Sequence, residues 1–121
     1  MSTPLLICDD SKMARKQVAR ALPQDWSVDI SYACNGVEAL EAIRAGRGEI
    51  VFLDLTMPEL DGYQVLETVH AEQLNCVIIV ISADIQPEAF SRVKALGALD
   101  FIKKPVDGDA LRGTLSTYGL L

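Results

Sequence analysis

Two hydrophobic patterns alternate along the chain. Short aliphatic runs fall at Leu5–Cys8, Val28–Ala33, Ile50–Leu53, Val77–Ile81 and Asp100–Ile102, and their length and β-branched content predict strands. Between them lie longer segments with apolar positions at helical spacing. In the first, Ala14, Val18, Ala21 and Leu22 share one face, while Lys12, Arg15, Lys16 and Arg20 lie elsewhere. In the second, Val37, Leu40 and Ile43 continue a pattern opened by Asn35–Gly36, and Val65, Leu66 and Val69 mark the third. The fourth runs from Pro87 through Phe90, Val93 and Leu96 and stops at Gly97. The fifth starts near Asp107 and carries Ala110, Leu111, Leu115 and Tyr118.

Boundary residues agree with this division. Ser11 suits a helix N-cap and Pro23 a helix stop. Pro87 suits a first helical turn, and Gly97 the position just past a helix end. Five β-α units in succession predict an α/β fold, a doubly wound parallel sheet with helices on both faces. The third and fourth runs are almost wholly apolar, as strands buried on both sides require. In such sheets ligands bind beyond the carboxyl ends of the strands, so the residues just after each run carry the interest.

Size and composition narrow the picture. At 121 residues the chain fits one domain, residues 1–121, and half its residues are hydrophobic, enough for a core without disulfide or metal staples. The balance of 17 acidic to 11 basic residues gives a net charge of -6. That argues against direct nucleic-acid binding, which needs a basic face, and suits a cation or a basic protein partner. Cys8, Cys34 and Cys76 are odd in number with no C-x-x-C spacing, and two of them lie inside apolar runs, where a thiol reads as a small buried hydrophobe, in a reducing compartment. There is no charged leader before the first apolar run and no stretch long enough to span a membrane. The expectation is a cytoplasmic protein. The short apolar tail, Gly119-Leu120-Leu121, suits either a small complete protein or a module of a longer one.

The carboxyl ends hold the candidate chemistry. Asp9 and Asp10 follow strand 1, Asp54 ends strand 3, Ser82 ends strand 4, and Lys103-Lys104-Pro105 follow strand 5. Singly, each reads as a turn former, a cap or a solvated charge. Together they place three carboxylates at one edge, which repel one another unless a cation intervenes. Oxygen ligands with no His or Cys beside them select a hard cation, and magnesium fits best. A carboxylate nucleophile beside a cation, a hydroxyl and a lysine meets the needs of phosphoryl transfer. Asp54 is the candidate nucleophile, Lys104 and the metal balance charge, and Ser82 bonds a phosphoryl oxygen.

The segments L5-L-I-C-D-D-S-K-M-A-R15, A33-C-N-G-V-E-A-L40, F52-L-D-L-T-M-P-E-L-D-G62, I81-S-A83 and G97-A-L-D-F-I-K-K-P105 resemble the receiver domain of two-component response regulators, the CheY-like group. The resemblance covers nearly the whole chain and implies strand order 2-1-3-4-5. It implies that Asp54 accepts a phosphoryl group from a sensor histidine kinase, a phosphotransfer protein or a small acyl phosphate. Asp10 would ligate Mg2+ directly, Asp9 through water, and Thr56 through its backbone carbonyl. Lys104 would pair with the phosphoryl group, and Pro105 would follow it through a cis bond. Ser82 and Phe101 stand at the switch positions, and Phe101 lacks the hydroxyl of a tyrosine. Thr56 and Asp84 stand at the two variable positions that tune dephosphorylation. The face of helix 4, strand 5 and helix 5 would change shape for a downstream protein or a fused output domain, with dimerisation on phosphorylation among the outcomes. The only catalysis implied is of the chain's own phosphorylation and dephosphorylation.

Other residues read as structural. Gly62 is expected to serve a turn and Pro58 the shape of its loop. Trp26 and Tyr63 suit partly buried positions, His70 an exposed one, and Tyr118 packing or a partner face. Competing functions lack parts. A haloacid-dehalogenase-type phosphotransferase would need a second Asp two positions after Asp54, where Thr56 stands. A flavin carrier would need a Ser/Thr/Gly phosphate loop where Asp9-Asp10 stand. A degenerate, unphosphorylated docking module would not need all five pocket groups.

Overall fold

The computed structural model describes residues 2–84 and 86–121. Five strands and five helices alternate: β1 Thr3–Cys8, α1 Lys12–Ala21, β2 Val28–Ala33, α2 Gly36–Arg44, β3 Ile50–Leu53, α3 Gly62–Glu72, β4 Val77–Ser82, α4 Pro87–Ala95, β5 Asp100–Lys103 and α5 Gly108–Thr117. All strand pairs are parallel, in the order β2-β1-β3-β4-β5. Three strands outrun their apolar runs. β1 starts at Thr3 because Thr3 and Pro4 pair with Val28 and Asp29 of β2, a partnership that hydropathy does not register. β4 and β5 each run one residue further, to Ser82 and Lys103, which pair with each other.

Alternation along the strands separates two apolar layers. Leu6, Cys8, Val51, Leu53, Ile78 and Val80 pack with Leu40 of α2, Val65 and Leu66 of α3 and Val93 of α4. Leu5, Ile7, Ile50, Phe52, Ile79 and Ile81 pack with Val18 of α1 and Leu111 and Leu115 of α5. Every residue of β3 is buried, whereas the edge strand β2 exposes Asp29, Ile30 and Tyr32. Trp26 stacks on Phe52 with ring centroids 6.3 Å apart, and its indole N–H donates to the Leu120 carbonyl at 2.8 Å.

Caps set the helix starts. Ser11, Asn35, Asp61 and Asp107 each accept a bond from the backbone N–H three residues on, satisfying donors that a helix start leaves open. Asp61 and Gln64 form a reciprocal capping box. Pro87 opens α4, and Gly97 follows it with φ 99°, a left-handed conformation suited to glycine. Pro23 comes directly after the cap of α1.

Gly62 corrects its sequence reading. It is the first residue of α3 rather than a turn residue, and its φ is not in the left-handed region. Glycine is needed because α3 starts against the end of β3. An added Cβ would overlap the Asp54 carbonyl and lie 2.8 Å from Leu55 Cα. Gly113 of α5 is the opposite case, with nothing within 4 Å of an added Cβ. Gly62→Ala is expected to lower stability in urea unfolding by about 1–3 kcal/mol, the cost of forcing a methyl into a packed site. Gly113→Ala should raise it by about 1 kcal/mol through helix propensity alone.

Candidate functional site

The parallel sheet delivers its strand ends to one edge. Asp9 follows β1, Asp54 follows β3, Ser82 ends β4, and Lys104 follows β5. Strand order passes from β2-β1 on one side to β3-β4-β5 on the other, so the site lies at the switch point between β1 and β3. Backbone bonds carry the alignment past the strands: Asp9 N–H donates to Ala33 O at 3.0 Å, Asp54 N–H to Cys8 O at 3.0 Å, and Lys104 N–H to Ser82 O at 2.9 Å. The Lys104–Pro105 bond is cis.

Asp9, Asp54 and Ser82 are the buried polar residues among those described, at 3%, 7% and 2% exposure, while Asp10 is exposed. Asp9, Asp10 and Asp54 each offer an oxygen within 4.8 Å of the others. Lys104 Nζ lies 2.6 Å from Asp9 Oδ2 and 3.4 Å from Asp54 Oδ1. Asp9 is thus the closer partner of Lys104, which sequence order gave no reason to expect. Asp9 Oδ1 accepts the Ser11 backbone N–H at 2.9 Å. Three carboxylates face one ammonium, an excess of two negative charges.

The electrostatics follow from that crowding. Burial raises the Asp54 pKa above its ordinary 3.8, the Asp9 charge adds to the rise, and Lys104 partly opposes it. Burial alone would depress Lys104, but its bond to Asp9 and the charges of Asp54 and Asp9 outweigh this and hold it above 10.5. The donor set is all oxygen and already gathers a cationic ammonium, so it fits a hard divalent ion. Asp9, Asp10 and Asp54 are the side chains that could hold one.

The remaining candidates lie around this cluster. Ser82 Oγ accepts the Asp84 backbone N–H at 3.1 Å, and Asp84 Oδ1 accepts the Gln86 N–H at 3.0 Å. The Ser82 hydroxyl is therefore engaged by its own loop. Thr56 and Asp84 are exposed beside the pocket. Phe101 of β5 is partly buried, its ring centroid 4.3 Å from that of Phe90 on α4. His70 is exposed, Tyr63 carries the Arg92 guanidinium 3.9 Å from its ring centroid, and Tyr118 caps α5 at 37% exposure.

One participant escapes the sequence reading. Arg15 Nη1 donates to the Asp9 backbone carbonyl at 2.7 Å. Helical spacing had placed Arg15 away from the apolar face, alongside solvent lysines. The available signal was its place four residues beyond the Ser11 cap, one turn up, where a long side chain can reach back to the end of β1.

Two variants separate the charges. Asp54 binds its proton more tightly folded than unfolded, so Asp54→Asn should raise stability at pH 7. That gain should vanish as pH falls to about 4, near the unfolded carboxyl value. Lys104 has a raised folded pKa, so its stabilisation is present at neutral pH and lost as pH rises through that value, above 10.5. Lys104→Met should cost about 1–3 kcal/mol at pH 7 by leaving Asp9 unpaired. Urea midpoints across pH measure both.

Comparison with known proteins agrees with this geometry. Residues 5–116 match the family model described as response regulator receiver domain. An uncharacterized response regulatory protein of Shewanella oneidensis is 33% identical over 112 residues, 91% of this chain and 46% of that protein. A protein-glutamate methylesterase/protein-glutamine glutaminase of Moorella thermoacetica is 37% identical over 110 residues, 88% of this chain and 26% of that protein. The chain therefore spans less than half the length of these curated relatives. The structure of the CheX-CheY-BeF3-Mg+2 complex from Borrelia burgdorferi matches with TM-score 0.84 and 30% identity, over 94% of this chain and 87% of that one. Vibrio cholerae chemotaxis protein CheY4 matches with TM-score 0.84 and 26% identity, over 97% and 98%. By its matched residues this chain belongs to the response regulator receiver domain family.

Proposed function

We propose that residues 1–121 form one phosphorylation-activated signalling switch that accepts a phosphoryl group on Asp54. The observation that carries this reading is the meeting of Asp54 with Asp9, Asp10 and Lys104 at the edge where Ser82 also ends its strand. Asp9, Asp10, Asp54 and the Thr56 carbonyl would hold Mg2+, the ion named with the Borrelia burgdorferi complex. When bound, it would supply positive charge against the carboxylates and the transferring phosphoryl oxygens. Asp54 attacks phosphorus through a carboxylate oxygen, and the donor leaves with the electrons of the broken bond. The donor is a phosphohistidine of a sensor kinase or phosphotransfer protein, or a small acyl phosphate.

Lys104 lies within reach of Asp54 and would pair with the added charge, releasing part of its hold on Asp9. Ser82 would exchange the Asp84 amide for a phosphoryl oxygen and draw its loop inward. Phe101 would then move into the vacated space, changing the α4-β5-α5 face for a protein partner or a fused output domain. Asp84 and Thr56, exposed at the mouth, would set how readily water reaches the acyl phosphate. Methylesterase activity is not proposed, since the match spans 26% of that relative.

Incubation with Mg2+ and a small acyl phosphate, followed by mass spectrometry, tests the acceptor. The wild type should gain one phosphoryl group and Asp54→Ala none. Uptake by Asp54→Ala at the wild-type rate would overturn the assignment. Sustained turnover of a phosphomonoester would instead favour the haloacid-dehalogenase-type reading. Ser82→Ala should still be phosphorylated, with reduced change in amide exchange across α4 and β5.

A further inference from the structure

Asp9 has every acceptor engaged. Ser11 N–H takes Oδ1, Lys104 takes Oδ2, and Arg15 takes the backbone carbonyl, at 2.9, 2.6 and 2.7 Å. Its own N–H donates to Ala33 O at 3.0 Å. The first two contacts fix the side chain. The Arg15 bond acts on a different unit, the peptide that joins Asp9 to Asp10, because the Asp9 carbonyl belongs to that peptide plane. Asp10 is exposed, and no hydrogen bond to its carboxylate is present among the described residues. With no such bond among the described residues to orient it, the peptide before it and the Ser11 cap after it bear directly on its direction.

We propose that Arg15 is a positioning residue for the divalent-cation site, holding the Asp9–Asp10 peptide so that the Asp10 carboxylate is presented toward Asp54. The inference rests on the cation reading given above. Arg15 suits the task because its guanidinium offers several donors in a rigid fork. It reaches back from the first turn of α1 to the end of β1, so it also ties the helix to the strand that carries the site.

Charge and position pull in opposite directions here. A guanidinium near a cation site repels the incoming ion, so loss of Arg15 should tighten binding if only its charge matters. If Arg15 positions Asp10, its loss should weaken binding, as removal of groups that orient metal ligands does by about 10–100-fold. The sign of the change therefore identifies the role.

The experiment is isothermal titration of the unphosphorylated full chain with Mg2+, alongside urea unfolding in EDTA. Arg15→Met is expected to bind Mg2+ at least about tenfold more weakly, and Arg15→Lys, which keeps a donor and the charge, should regain part of that loss. Equal or tighter binding by Arg15→Met overturns the assignment. So does a fall in EDTA stability with the Mg2+ affinity unchanged, which would mark a purely structural bond. If Arg15→Met does not fold, Arg15→Gln is read by the same criteria. Failure of the wild type to bind Mg2+ would instead overturn the cation reading on which the inference rests.

Discussion

Lys104 serves two buried carboxylates at once, and the edge of the sheet is organised by that sharing. Asp9 and Asp54 follow β1 and β3, which are neighbours, so the sheet spacing itself forces the two acids close together. Their repulsion is unavoidable in this topology. One ammonium from the far strand β5 offsets part of it, at 2.6 and 3.4 Å. The contact spans 95 residues of chain, and with the backbone bond from Lys104 to Ser82 it draws the β5 end toward the site. The raised Asp54 pKa is the residual cost: the fold holds the carboxylate in a place where its charge is disfavoured.

Local backbone bonds hold the loops around this edge. Ser11 directs its amide at Asp9 and its hydroxyl at the α1 start. Asp61 caps α3, and Gly62 lets that helix begin against the Asp54 carbonyl, since no side chain intervenes. No buried side-chain nitrogen or oxygen among the described residues lacks a partner. The neutral Ser11 amide and the charged Lys104 together hold the Asp9 carboxylate, and the negative charge of the three carboxylates exceeds that of the one ammonium among them. Such a charge balance is what the proposed cation reading draws on.

Most of the sheet could be read in the sequence because burial writes itself into periodicity. β3 is apolar throughout since both its faces are covered, and the helix caps are local chemistry within four residues. The misses share one property, dependence on contacts between distant segments. Thr3 and Pro4 join β1 only because β2 pairs with them. Gly62 looked like a turn because its reason, the close backbone of β3, is invisible to local spacing. Asp9 as the nearer partner of Lys104, and Arg15 on the Asp9 carbonyl, depend on side-chain reach across elements. That Asp9, Asp54, Ser82 and Lys104 share one edge is legible because a parallel topology brings its strand ends together; their bonding partners are not, because topology does not fix rotamers.

The bonds that a phosphoryl group would have to exchange are individually small. The Ser82–Asp84 hydrogen bond is a neutral one, about 0.5–1.5 kcal/mol net. The Phe101–Phe90 pair adds about 0.5–1.5 kcal/mol beyond its burial. A phosphoryl dianion on Asp54 offers Ser82 and Lys104 charge-assisted bonds, about 1.5–3 kcal/mol each. On the proposed reading, the resting arrangement would be favoured by an amount that one modification could reverse, the condition for a two-state switch. The core beneath carries no such balance. Ile79, Val80 and Val93 are fully buried, and moving them would cost several kcal/mol. On the proposed reading, the parts that would respond are Ser82 and the aromatic pair of Phe90 on α4 and Phe101 on β5, while the buried sheet would keep Asp54 in place.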